Sequence, residues 1–375
     1  MSIEIVPITR NNLGLVAKAS AKYGITRSAR WLERCMFDPT VEDLVDDDVR
    51  GHMAIRDDGE VVAVQGYYYH PVYFLQKKKL MNTGCIMGAD KGYGEELIRC
   101  LDANRERRIS GVGSVANSVN ARSSKICKIA SKMVEAPELT RQRRFAMGDV
   151  TGYLLCAMQY VLHVPMGIVN LLWLFMRPLS WVFARLQSLF RPKLGYKMCM
   201  CDSFKTRMLQ SYWEKFLAKN DGLISSRAPE RMSWLFDDSL KAGTAALIVA
   251  EKENEPCGYV LVRKMQAEHG RKFSDYLICD ICAIGYDEEC LKALAFAAVS
   301  FVGKCGGLRL LMVGALPHQS KWLFPALRYH IVYKHPTFMY RINKGCGDVI
   351  NDSLKNGRGW FFGPLDGERC LGNEL

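Results

Sequence analysis

One order of elements can be read twice along this chain, once on each side of an apolar middle, and that repetition constrains the fold more than any single motif. In the first half, HMAIRDDGEVVAVQGYYYHPVYF (52–74) predicts two strands around the turn Asp57-Asp58-Gly59, because alternating β-formers flanking an Asp-Gly pair make a hairpin. KKLMNTGCIMG (78–88) is a further strand, and EELIRCLDANRERR (95–108) is a helix with Leu97, Ile98 and Leu101 on one face. ISGVGSVANSVN (109–120) is a strand and ARSSKICKIASKM (121–133) a second helix. The second half predicts a hairpin over 246–264, a strand over 275–285, a helix over 289–306, a strand over 308–316 and a helix over 319–330. The fold class is α/β (α+β): two tandem mixed-sheet domains, residues 1–148 and 201–375, joined by a helical linker over 149–200.

That linker is the most apolar part of the chain. From Thr151 to Met176 there is no charged residue across 26 positions, and a straight helix of that length would reach roughly 39 Å. Pro165 divides it into pieces of 14 and 11 residues, each too short to span a bilayer alone. The following LSWVFARLQSLFRPK sets Trp181, Phe183, Leu186 and Leu189 against Arg185 and Arg191. An apolar face with arginines and tryptophan suits an interfacial helix on anionic lipid. The expectation is a monotopic or re-entrant segment meeting an anionic membrane surface through residues 151–193, with burial against protein as the bland alternative.

Charge points the same way. The chain carries a net +12, and the stretch from Leu139 to Met208, with ten basic and two acidic residues, supplies eight of it. So local an excess argues against a nucleic-acid surface and for a local partner. The start of the sequence has no basic-then-apolar leader, so a cytoplasmic protein at the inner membrane is expected. Its fourteen cysteines are then read as reduced thiols, most of them in the core. Cys199/Cys201 and Cys279/Cys282 have no partners that would complete a metal site, and positions three apart on a strand should face opposite ways. No metal is expected.

The stretch GADKGYGEEL (88–97) carries the chemistry. A dinucleotide fingerprint needs a third glycine where Leu97 stands, and the G-K-[ST] of a nucleotide-binding P-loop is absent. A glycine turn opening a helix still presents unpaired N–H groups and the positive end of the helix dipole, which suits a pyrophosphate.

Hairpin, strand, glycine loop, helix, strand and helix resemble the order in GNAT acyltransferases. RDDGEVVAVQGYYYHPV is similar to that family's central hairpin, DKGYGEELIRCL to its acyl-CoA pyrophosphate loop, and NSVNARSSKICKIASKM to its asparagine-led fourth helix. ARWLERCMFDP (29–39) and WFFGPLDGER (360–369) resemble tandem-GNAT proteins of bacterial surface-polysaccharide loci. The resemblance implies that Gly92, Tyr93, Gly94 and Glu95 offer backbone N–H groups to the pyrophosphate of acetyl-CoA or another acyl-CoA. It puts Lys91 where the family often has arginine. Ile86, Met87 and Gly88 would pair with the pantetheine arm, and Asn120 would hold that arm from its other side. Two positions depart from the pattern: Ala89 stands where glutamine or arginine is usual, and Cys127 where a tyrosine often protonates the leaving thiolate. In the second copy, AIGYDEECLKAL (283–294) has no paired glycines, so that half is expected to bind no cofactor and to shape the acceptor site or support the first half.

The implied activity is transfer of an acyl group from a thioester to an amine of an amino sugar, or of a lipid- or nucleotide-linked glycan precursor. His70, after the tyrosine run, is the candidate general base, and Cys85 a candidate nucleophile. Cys127 is a candidate proton donor, and His318 and Asp280 are further groups that could face the cleft. A Fem-type aminoacyl or peptidyl transferase and a catalytically inactive scaffold of a polysaccharide-synthesis complex are the alternatives.

Overall fold

In a computed structural model, the described residues are 2–24, 27–45, 47–74, 76–104, 111–119, 121–135, 142–147, 151, 154–155, 158, 162–189, 195–220, 222–265, 274–315, 329–332, 337–343 and 360–361. They form two mixed sheets with helices on their faces.

The first sheet has the order β1 (Ile3–Pro7), β2 (Gly51–Arg56), β3 (Val61–Phe74), β4 (Lys77–Ala89), β5 (Gly113–Val119), β15 (Thr337–Ile342), β6 (Val134–Glu135). The short strand β9 (Leu223–Ser225) pairs with the far end of β3, and β16 (Trp360–Phe361) pairs with β9. The expected hairpin is β2–β3, with Gly59 taking φ +82° in the turn. β3 is buried at every position from Val61 to Val72, as a central strand covered on both faces must be. Helices α1 (Leu13–Lys22) and α2 (Ala29–Met36) cover one face; α3 (Gly94–Ala103) and α4 (Ala121–Ser131) cover the other.

The second sheet has the order β14 (Tyr329–Val332), β7 (Gln142–Met147), β13 (Arg309–Ala315), β12 (Tyr276–Ala283), β11 (Glu255–Lys264), β10 (Ala245–Lys252), β8 (Lys197–Cys201). Its helices are α6 (Arg207–Lys219), α7 (Pro229–Lys241) and α8 (Glu288–Lys304). The repeated plan extends to detail. β4 runs parallel to β5 over three residue pairs, and β12 runs parallel to β13 over three. Register slips in the β3–β4 and β11–β12 pairs leave Cys85 bulged in β4 and Cys279 in β12.

The sheets do not keep to the chain order. β7 comes from the first half yet sits antiparallel to β13 in the second sheet, and β15 comes from the second half yet sits antiparallel to β5 in the first. The expected units 1–148 and 201–375 therefore each supply strands to both sheets. A single core cluster runs from Ile8, Trp31 and Tyr68 through Phe204, Tyr212 and Phe236 to Leu247, Tyr259 and Cys282.

α5 (Met166–Leu189) is one helix with Pro178 inside it; the proline removes one intrahelical bond without ending the helix. Pro165 lies just before α5, and its carbonyl accepts from the N–H groups of Ile168 and Val169 (3.0 and 3.2 Å). Val169 and Trp173 pack with Leu155 and Leu308, while Leu171, Phe175, Leu179 and Trp181 are exposed. Among the described residues no helix is long and apolar enough to cross a membrane. The predicted helix over 319–330 lies outside the described residues except for Tyr329 and His330, which are in β14. The bulge at Cys279 also corrects the facing of the Cys279/Cys282 pair: both thiols point into the same core.

Candidate functional site

β4 and β5 are hydrogen-bonded only from Met81/Gly113 to Thr83/Val115. Beyond Thr83 the two strands continue, to Ala89 and Val119, without pairing to each other among the described residues. β15 holds β5 from its far side up to Val119, and β3 holds β4 up to Ala89. The result is a wedge-shaped opening between two anchored strands.

Backbone alternation decides which amides face that opening. Asp90 N–H donates to the Val62 carbonyl (2.9 Å), so Gly88 and Ile86, in register with Val64 and Gly66, also turn their backbone groups toward β3. Met87 and Ala89 therefore turn theirs toward the opening. Of the three expected pantetheine-pairing residues, Met87 turns its backbone groups toward the opening, and Ile86 and Gly88 turn theirs toward the neighbouring strand. Gly88 is required for another reason: a Cβ there would collide with the ring of Tyr23 at the end of α1.

The loop at the mouth is fixed from below. Lys22 reaches Asp90 (3.2 Å) and Glu60 (2.7 Å), and Tyr23 donates to the Val62 carbonyl (3.2 Å). Burial, then the Asp90 charge, pushes the Tyr23 hydroxyl well above its ordinary value, so it stays a neutral donor. Arg56 bonds Asp58 and Glu60. The carboxylates Asp58, Glu60 and Asp90 are thus each held by a cation, while Lys91 points into solvent.

Gly92 takes φ +95°, a left-handed conformation that favours glycine. Gly94 does not, and a Cβ there would meet nothing within 4 Å. Nothing among the described residues requires glycine at 94; close approach by an external group would. Tyr93 occupies the cap position of α3 with no side-chain hydrogen bond to the helix amides.

The corresponding helix of the second half is different. Asp287 caps α8, accepting from the N–H groups of Glu289 (2.9 Å) and Cys290 (3.2 Å) and from the Tyr196 hydroxyl (2.6 Å). Burial opposes charge there, but these three donors prevail and hold the Asp287 carboxyl below the usual range. β12 is buried along its whole length. One helix N-terminus is satisfied by its own chain; the other opens onto a parted sheet.

Cys127 belongs to a buried cluster with Met133 and Met339, against which Met87 of β4 and Ala116 of β5 pack. Cys85 is buried at the bulge. Asn120 and His318 lie outside the described residues.

His70 is placed elsewhere. It is 1% exposed, with Nε2 against the Ser225 hydroxyl and Nδ1 accepting from Arg231 (3.2 Å). Arg231 also pairs with Asp38 (3.0 Å). A ring whose lone pair already takes a guanidinium N–H has none to offer a substrate amine, so the general-base expectation is corrected to a structural one. Asp280 is likewise buried, held by Arg227 (3.0 and 3.2 Å) and the Tyr259 hydroxyl (2.8 Å). Arg227 donates to the Ser225 carbonyl (3.0 Å), linking both sites into one polar seam between the sheets.

A separate cavity of about 420 Å³ lies between α5 and the second sheet, lined by Trp173, Arg177, Lys264, Ser274, Tyr276 and Cys305. Among the described residues no cluster of His, Cys, Asp and Glu could hold a metal. A residue that sequence reasoning passed over is Gly84, exposed in mid-strand beside the parting, where a Cβ would meet nothing within 4 Å. A glycine inside a strand is the signal that could have marked it.

No protein-family model and no curated protein matches the chain. Solved structures do. A GCN5-related N-acetyltransferase from Anabaena variabilis aligns with TM-score 0.54 at 11% identity, covering 91% of this chain and 73% of its own. One from Kribbella flavida aligns with TM-score 0.50 at 14% identity, covering 91% and 71%. Saccharomyces cerevisiae N-myristoyltransferase with bound myristoyl-CoA aligns with TM-score 0.53 at 9% identity, covering 91% and 80%. The chain has the fold of these acyltransferases.

Proposed function

We propose that this protein is an acyl-CoA-dependent N-acyltransferase whose donor site is the β4–β5 opening. The observation that carries this reading is the parted strand pair with the glycine turn and the uncapped α3 N-terminus at its mouth. The turn amides of Gly92 to Glu95 would take the pyrophosphate, and the edge amides of Met87 and Ala89 the pantetheine arm. In the transfer the acceptor amine attacks the thioester carbonyl, the C–N bond forms, the C–S bond breaks and the departing thiolate takes a proton. Cys127, in the buried cluster against which Met87 and Ala116 pack, is the candidate to deliver that proton. The fold shared with enzymes of this class supports the reading.

The acceptor we infer is an amino sugar or a lipid- or nucleotide-linked precursor of a surface glycan, reached at the cytoplasmic face of a membrane. The support is α5, whose exposed Leu171, Phe175, Leu179 and Trp181 run beside the exposed Arg177 and Arg185. A second reading, a non-catalytic binding platform, is favoured by the pinning of His70, which removes the clearest base.

Calorimetric titration of the protein with acetyl-CoA and with free CoA, beside a Gly94→Glu variant, tests the donor site. Micromolar binding lost in the variant is expected, with an unchanged melting temperature, because position 94 has open space and no left-handed strain. No binding by the unmodified protein would overturn the reading.

A further inference from the structure

The apex of the opening is polar where a strand core is ordinarily apolar. Asn82 on β4 and Ser114 on β5 are register neighbours, one pair in from Thr83 and Val115, after which the strands part. They are 3% and 7% exposed. Neither amide atom of Asn82 nor the Ser114 hydroxyl has a hydrogen-bond partner among the described residues. Buried polar groups are overwhelmingly satisfied, and leaving three atoms unmade destabilises the empty site. A leucine and a valine would serve the sheet better.

The space these groups face can be traced along the strands. Side chains two apart share a face, so Gly84 follows Asn82 toward the mouth, and Ala116 follows Ser114. Gly84 is exposed, with open space where a side chain would stand. Tyr69 is the register neighbour of Asn82 on β3, and Arg341 that of Ser114 on β15. A small-residue floor therefore leads from the opening to two unsatisfied hydrogen-bonding side chains.

We propose that Asn82 and Ser114 hydrogen-bond a polar substituent on a short acyl group of the thioester donor, so that the enzyme takes a hydroxy- or amino-substituted acyl chain over a plain aliphatic one. This rests on the donor site described above. An amide and a hydroxyl can each donate and accept, so together they satisfy one hydroxyl fully. An alkyl chain in the same place leaves all of them unpaired, and a site built around hydrogen bonds rejects the analogue that lacks the group.

The test is calorimetric titration of the full chain with free CoA, 3-hydroxybutanoyl-CoA, butanoyl-CoA and myristoyl-CoA, repeated on Asn82→Leu and Ser114→Ala. The hydroxylated thioester is expected to bind roughly tenfold more tightly than butanoyl-CoA, with myristoyl-CoA weaker still. In both variants that ratio should fall to about one while free CoA binds as before. The ligand-free Asn82→Leu protein should melt no lower than the parent, since it loses unsatisfied groups. Equal binding of the two four-carbon thioesters by the parent, or a ratio that survives both substitutions, would sink the proposal while leaving the donor site standing. Failure to bind even free CoA would sink both.

Discussion

Glycines 88, 92 and 94 lie within seven residues yet answer to three different constraints, and substitution separates them. Gly88 faces the Tyr23 ring, so Gly88→Ala has to displace α1 or bend β4. Overpacking of this kind costs about 1–3 kcal/mol, and urea unfolding of the variant should show it. The loop that follows would shift with α1, because Lys22 and Tyr23 are what hold its base. Gly92 carries backbone strain for any other residue, roughly 1–2 kcal/mol. Gly94 carries none, and a Cβ there meets open space. The turn was legible in the sequence because paired glycines before an amphipathic helix are a local pattern. Asn82 and Ser114 were not, since a polar residue in a strand looks the same whether it faces solvent or a buried, unpartnered site. His70 misled for the same reason: its partners, Ser225 and Arg231, lie about 160 residues away.

At the scale of elements, the two helix starts test how much a capping side chain matters. Asp287→Ala should lower stability by about 1 kcal/mol at pH 7, the usual worth of a cap. The folded carboxyl titrates below its ordinary value, so its contribution is present above about pH 4 and is lost as the pH falls through the folded value. The gap between parent and variant in urea unfolding should therefore narrow on acidification below the ordinary carboxylate range; a gap that widens there would contradict this assignment. Most strands and helices could be anticipated from period and turn chemistry, including the β2–β3 hairpin and the strand entering the loop. The placing of β7 and β15 could not. Alternation within a strand says which face it buries, not which sheet it joins, and both strands join the sheet of the opposite half. Pro178 shows a similar limit: a proline marks a lost hydrogen bond, but the helix runs on through it to Leu189.

Across the whole molecule, the polar seam of Asp38, Arg231, His70, Ser225, Arg227 and Asp280 ties the sheets together beneath a shared core. Asp280→Asn would leave the fully buried Arg227 guanidinium without its countercharge. A loss of about 3–5 kcal/mol is expected, with unfolding still a single transition because one core serves both sheets; two separate transitions would show the halves to be independent. The same scale includes the outward face of α5. Phe175 and Trp181 are 73% and 65% exposed, more apolar surface than a solvated helix ordinarily shows. Replacing both by aspartate should cut sedimentation with anionic vesicles at least roughly tenfold while leaving CoA titration unchanged. Equal binding of parent and variant would remove the membrane from the account.

The exchange of β15 also sets a schedule. β5 is made early, but the strand that holds its outer edge lies more than 200 residues further along the chain. At roughly 5–20 residues per second, a ribosome needs between about ten and forty seconds to deliver it. Until then the nascent first half carries its glycine turn beside a sheet edge with nothing behind it, and such an edge invites mispairing. The wedge that would receive a donor is thus among the late features to form, and a chain cut before Thr337 would keep every residue of the glycine turn and still lack the strand that holds the outer edge of β5.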